Sequence, residues 1–209
     1  MTYLLPIARF LSVFIGVFSF FLGLFILFHN RRQKINQLFS SLCFISSFWM
    51  VCTYAMALEK LSSFWRLFFT KGSFVVVLFF ILIAYFFTHF FPKKGKSYKN
   101  LDFGIIGGGL LFFLITAFTP FVIENAVKKE WGTEVVLGKY SLFYFGFIIF
   151  LIIFAIYRMY SKYFKLSPEE KLKVQYLIIG ASIFAFLNLV FNIIVPLKYK
   201  TYKLSLIHI

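Results

Sequence analysis

Six runs of roughly 20 predominantly apolar residues, at 6–28, 38–58, 68–91, 101–123, 140–160 and 174–197, divide this chain, and each is long enough to cross the hydrocarbon core of a bilayer. In lipid a backbone N–H or C=O finds no water. Runs of this length are therefore expected to be helices, and the residue-by-residue alternation of a membrane barrel is absent. The fold class that follows is an all-α polytopic membrane helical bundle of six transmembrane helices. Composition agrees, with 61% hydrophobic residues, 34 Phe and only 14% charged residues in 209, where a soluble domain carries about 25% charged. A soluble globular enzyme is excluded, and so is a disordered chain, because the high net charge comes with high hydrophobicity. The first run contains Arg9, is too long for a signal h-region and is not followed by a small-residue cleavage site. It reads as a retained helix.

Cations set the expected orientation. The link 29–37 holds Arg31, Arg32 and Lys34, and the link 92–100 holds Lys93, Lys94, Lys96 and Lys99, with no acid in either. Both are expected on the cytoplasmic face, and by parity so is 161–173 with Lys162, Lys165, Lys171 and Lys173. The link 124–139 balances Lys128, Lys129 and Lys139 against Glu124, Glu130 and Glu134, and reads as an external loop. The N-terminus is then outside, in the inner (cytoplasmic) cell membrane. Lys60, Arg66, Lys71, Lys198, Lys200 and Lys203 run against this bias.

Local patterns add detail. Ser167-Pro168-Glu169-Glu170 is a capping box with proline at the first helical position, so the sixth helix is expected to start about a turn before the membrane. Gly104 and Gly108 form a small-xxx-small pair expected to admit a close helix neighbour. Asn188 and Asn192 share a face of the sixth span, as interhelical glue or as lining of a ligand cavity. Lys71 is expected to snorkel to the interface and His89 to be an interfacial histidine. Cys43 and Cys52 read as small buried hydrophobes, since nine residues of straight helix hold them apart.

Chemistry-bearing motifs are few. His29, His89 and His208 have no Cys or carboxylate at ligand spacing, so no metal or cofactor is expected. No paired intramembrane carboxylates, phosphate loop, H-E-x-x-H or G-x-S-x-G appears, and no catalytic residue is assigned. The basic links match anionic lipid headgroups, not nucleic acid.

The order of features resembles the N-terminal seven-transmembrane sensor region of bacterial membrane-bound histidine kinases. The similar features are Asn30-Arg31-Arg32 closing the first span, Asn36 opening a second with Trp49 at its middle, and Phe91-Pro92 ending the third. Further along they are Gly132 and Gly138 leading to Tyr140, then Val174-Gln175-Tyr176-Leu177 with Gly180, and Asn192 with Pro196. The resemblance covers residues 4–200 and implies a homodimeric sensor bundle that relays a stimulus to a C-terminal cytoplasmic output domain; it names no ligand. It implies that Trp49, Asn188 and Asn192 face the bundle around any pocket, and that Gly180 and Pro196 permit a bend. The departure is the C-terminus, because the family has a seventh span and kinase domains there. Leu204-Ser205-Leu206-Ile207-His208-Ile209 can be encoded by CTG TCT CTT ATA CAC ATC, which resembles the transposon mosaic end used in sequencing libraries. Residues 1–203 are therefore expected to be the sensor bundle and 204–209 a library adapter. The alternative reading is a complete small membrane carrier or a subunit of a membrane complex.

Overall fold

The structure, a computed structural model, describes residues 4–56, 58, 60–92, 99–129 and 132–189. Among them are helices α1 (Leu4–His29), α2 (Lys34–Met56), α3 (Ser63–Phe90), α4 (Lys99–Phe118), α5 (Ser141–Tyr163) and α6 (Pro168–Leu189), with strands β1 (Ile123–Lys129) and β2 (Gly132–Leu137) between α4 and α5. Helices α1 to α5 are each long and apolar enough to cross a membrane, so the protein is a multi-pass helical membrane bundle. The expected sixth span begins inside α6, and its last eight residues, 190–197, lie outside the described residues. The chain divides into two compact units, residues 1–160 and 161–209.

In the first unit α3 is the central element. It packs on α2 and α4 and contacts β1. Its buried Leu78, Leu82 and Tyr85 join Ile105 of α4, Val122 and Ile123 at the hairpin base, and Tyr144 and Leu151 of α5 in one core. Tyr144, 1% exposed, donates its hydroxyl to the Phe74 carbonyl of α3 at 2.7 Å, which satisfies the one polar atom of a ring buried among apolar neighbours. Outward-facing side chains have no protein to pack on. Phe103 is 79% exposed, Leu142 78% and Phe118 75%, a surface whose complement is lipid.

Close approach in α4 comes at one glycine of the expected pair, Gly108, and at its neighbour Gly109. A Cβ on Gly104 would meet nothing within 4 Å, whereas one on Gly108 would stand 3.1 Å from the Phe147 ring of α5 and one on Gly109 2.7 Å from Leu82 of α3. Among the described residues, therefore, Gly104 serves no close packing. The neighbours on either side of α4 are large side chains, which need a gap at the level where they cross.

The link expected as a loop over 124–139 is an antiparallel hairpin. Thr133, Val135 and Val136 of β2 face Lys128, Ala126 and Asn125 of β1, and β-branched residues fit such a ladder. Lys129 and Glu134 pair at 3.1 Å. The fourth span accordingly stops at Phe118, and 119–122 lead into the hairpin, whose base buries Val122 and Ile123 completely.

At the other end of the helices, the α1–α2 link is tightened by its own polar residues. Asn36 donates to the Asn30 carbonyl at 3.3 Å and Gln37 to the Arg31 carbonyl at 2.8 Å, meeting acceptors that the end of α1 leaves open. In the second unit the capping box is formed as the sequence suggests. Ser167 N–H donates to Glu170 at 3.0 Å, and Glu170 N–H donates to the Ser167 hydroxyl at 3.4 Å.

Candidate functional site

Near the end of α3 that follows the membrane stretch, Tyr85 and His89 stand four residues apart and so share one face of the helix. The first turn of α4 brings Asp102 beside them, and α5 brings Arg158. The Tyr85 hydroxyl donates to Asp102 Oδ1 at 2.6 Å, a short bond of the kind an ionised acceptor makes. Arg158 Nη1 lies 3.4 Å from the same oxygen. The Arg158 guanidinium also covers the Tyr85 ring, 4.7 Å from its centroid, and its Nη2 lies 3.3 Å from His89 Nδ1. Arg158 is 3% exposed and His89 8%.

Each charge has a local reason to be there. A carboxylate in the first turn of a helix is stabilised by the unsatisfied N–H groups at that end. Arginine cannot give up its proton, so it needs an anion and acceptors wherever the fold buries it. Since Nη2 can only donate, His89 Nδ1 must accept. Tyr85, His89, Asp102 and Arg158 thus join three helices at one level through four polar side chains.

A second polar cluster stands at the hairpin end. Arg66, 2% exposed, donates through Nη1 to the Met56 carbonyl at 3.2 Å and the Thr133 hydroxyl at 2.8 Å. Through Nη2 it reaches the carbonyls of Leu58 at 3.3 Å and Leu61 at 3.1 Å. Thr133 in turn donates to the Met56 carbonyl at 2.7 Å. Lys71 does not snorkel but donates to the Thr119 carbonyl at 2.8 Å, past the end of α4. Both cations occupy the negative ends of neighbouring helices. This is why they can lie on the face opposite the basic links: their charge is already engaged by carbonyl dipoles.

Of the residues expected around a pocket, only Trp49 has its side chain among the described residues. Trp49 is half-buried and donates Nε1 to the Ser73 hydroxyl at 3.0 Å, so it ties α2 to α3. Asn188 lies on α6 with its side chain outside the described set, and Asn192 and Pro196 are outside the described residues. Gly180 faces open space. Cys43 and Cys52 are buried free thiols. A cavity of about 240 Å³ lies between α1 and α2, lined by apolar groups such as Val13, Val17, Phe20 and Met50. Among the described residues no three His, Cys, Asp or Glu side chains converge as a metal site.

Asp102 was legible as a signal. It is the one acid inside any of the six apolar runs, and an acid there needs a partner, though nothing in the sequence singles out Arg158 and Tyr85 as the partners. Fold and site together define a multi-pass helical membrane protein with a buried ionic cluster near one end of its helices. No protein-family model, curated protein or solved structure matches the chain.

Proposed function

We propose that this chain is the membrane-embedded sensor part of a signal-transducing protein, with its N-terminus outside the inner cell membrane, passing helix movement to a cytoplasmic output domain of histidine-kinase type. In this reading the chain itself has no catalytic role, and it acts as a homodimer. The observation that carries it is the ionic cluster. Three helices are joined at one end by Tyr85, His89, Asp102 and Arg158, and charged groups held inside a membrane bundle belong to functional sites by default. A polar junction of this kind has two discrete arrangements, made or broken, and can turn a small stimulus into displacement of helix ends. The resemblance of the span order to kinase sensor regions supports the same reading.

The test is the source gene beyond the Lys203 codon, read with long transposon-free reads. The expected result is a frame that continues into a seventh span, a phospho-accepting histidine and an ATP-binding domain. A different output domain would keep the sensor and remove the kinase. A stop codon directly after Ile209 would overturn the sensor reading.

A further inference from the structure

Helices α1 and α2 run antiparallel and meet at glycines. A Cβ on Gly16 would stand 3.2 Å from Met50 Cβ, and one on Gly23 3.0 Å from Cys43 Cβ. That register sets Ser12 opposite Tyr54, close to the α2 end where Arg66 and Thr133 meet the Met56 carbonyl. From this level inward the two helices flank the cavity of about 240 Å³, with buried Gly16 as its floor. Val13, Val17 and Val51 line it and are 48%, 51% and 51% exposed. The cavity is therefore a trough, open sideways and continuous with the surface that two membrane-spanning helices turn to lipid.

Its length and chemistry match one kind of occupant. Between Ser12 and Phe21 it follows about 13 Å of α1, and its inner end at Ser47 lies near the middle of the 38–58 run. One leaflet of the hydrocarbon core is about 15 Å deep. The end nearer the membrane surface carries the hydroxyls of Ser12 and Tyr54, the inner end the Phe21 ring; a tyrosine at such a level keeps its ring in the apolar layer and its hydroxyl towards the headgroups. Water is a poor filler, because it needs about two to four polar partners and the side chains of the lining offer only the hydroxyls of Ser12, Ser47 and Tyr54. The space also exceeds the apolar cavity of about 150 Å³ that takes up benzene.

We infer that the trough is a binding site for one acyl chain of a bilayer phospholipid, drawn from the leaflet on the hairpin side. The ester end of the lipid lies at Ser12 and Tyr54, and its methylenes lie against Val13, Val17 and Val51. Lipid tails are as apolar as the trough, so transfer from water drives nothing here. The chain is held by fit: an empty trough would leave its lining atoms without contacts on one side, and an extended chain restores them. The inference goes beyond the sensor reading and does not depend on it.

The experiment uses the full chain in bilayers of phosphatidylcholine and phosphatidylglycerol, with a trace of phosphatidylcholine carrying a photoactivatable diazirine midway along one acyl chain. After irradiation, peptides containing Val13, Val17 and Val51 are expected to carry severalfold more label than the peptide of α4 containing Leu110 and Leu114, which are 54% and 52% exposed. Val17→Phe/Val51→Phe fills the trough from its open sides and should bring that label down to the α4 level, whereas Leu110→Phe should leave it unchanged. Native mass spectrometry of the wild-type chain should show a single phospholipid retained, and the filled variant should lose it. Equal labelling of the three helices in the wild-type chain overturns the proposal whether or not the filled variant folds. So does label that survives filling, or a Val17→Cys variant that forms a disulfide between two copies, since a second chain would then cover the trough. The gene read described above decides the sensor reading separately, so either can fail alone.

Discussion

At Arg158 a permanent positive charge is held in a membrane helix with the Asp102 carboxylate, the His89 imidazole and the face of the Tyr85 ring among its partners. Truncating it leaves Asp102 with Tyr85 alone and opens a gap among buried side chains, so Arg158→Ala should lower stability by about 3 kcal/mol, read as a drop in the thermal midpoint in detergent micelles. Asp102, less buried, should cost less as Asp102→Asn. The double variant Asp102→Asn/Arg158→Met should recover part of the loss, because a paired charge removed whole leaves no uncompensated partner. Additive losses would mean that the two groups do not act on each other. Arg66 poses the opposite case, a buried cation among neutral oxygens. Arg66→Ala takes a charged donor from the carbonyls of Met56, Leu58 and Leu61 and leaves Thr133 and Met56 bonded only to each other, and an expected loss of about 2–3 kcal/mol should be accompanied by faster proteolysis of the 57–62 link.

At the scale of elements, helix ends in this protein are met by side chains of the element that follows or crosses them: Asn36 and Gln37 at the end of α1, Arg66 after α2, Lys71 after α4. A terminus near lipid has little water to turn to, so these acceptors must find donors within the chain. The hairpin depends on a comparable local necessity. Gly138 N–H donates to the Val122 carbonyl at 3.0 Å, and a Cβ there would collide with the carbonyls of Pro120 and Phe121. Gly138→Ala should therefore open the hairpin base at a cost of about 1–3 kcal/mol. Limited trypsin digestion checks this: cleavage at Lys128 or Lys129 should quicken severalfold while the helices stay protected, and an unchanged rate would show that the base tolerates the side chain.

At the scale of the whole molecule, the proposed orientation puts the first link and the hairpin on opposite faces of the membrane. In right-side-out cells an impermeant thiol reagent should label Lys128→Cys directly and Arg32→Cys only after permeabilisation, with Cys43 and Cys52 silent because both are buried. The reverse pattern would invert the topology. The helical architecture was legible in the sequence because the bilayer dictates it: a long apolar run leaves its backbone no alternative to a helix. The capping box of α6 was legible too, since its donors and acceptors lie within four residues of chain.

What the sequence by itself determined, then, was everything governed by local chemistry and by the solvent: apolar length, helix, cap, and thiols that behave as hydrophobes. The hairpin escaped because its alternation is short and interrupted by charges, so its strands declare themselves only when paired with each other. Arg158 and His89 are 69 residues apart and Tyr85 and Asp102 are 17 apart; no spacing rule joins them. Gly108 and Gly109 became the close contacts, and Gly104 did not, because the choice depends on where Phe147 and Leu82 arrive from other helices. Tertiary structure decided which polar groups meet, because a charge in a bundle is stabilised by whichever partners the packing of separate helices brings within reach.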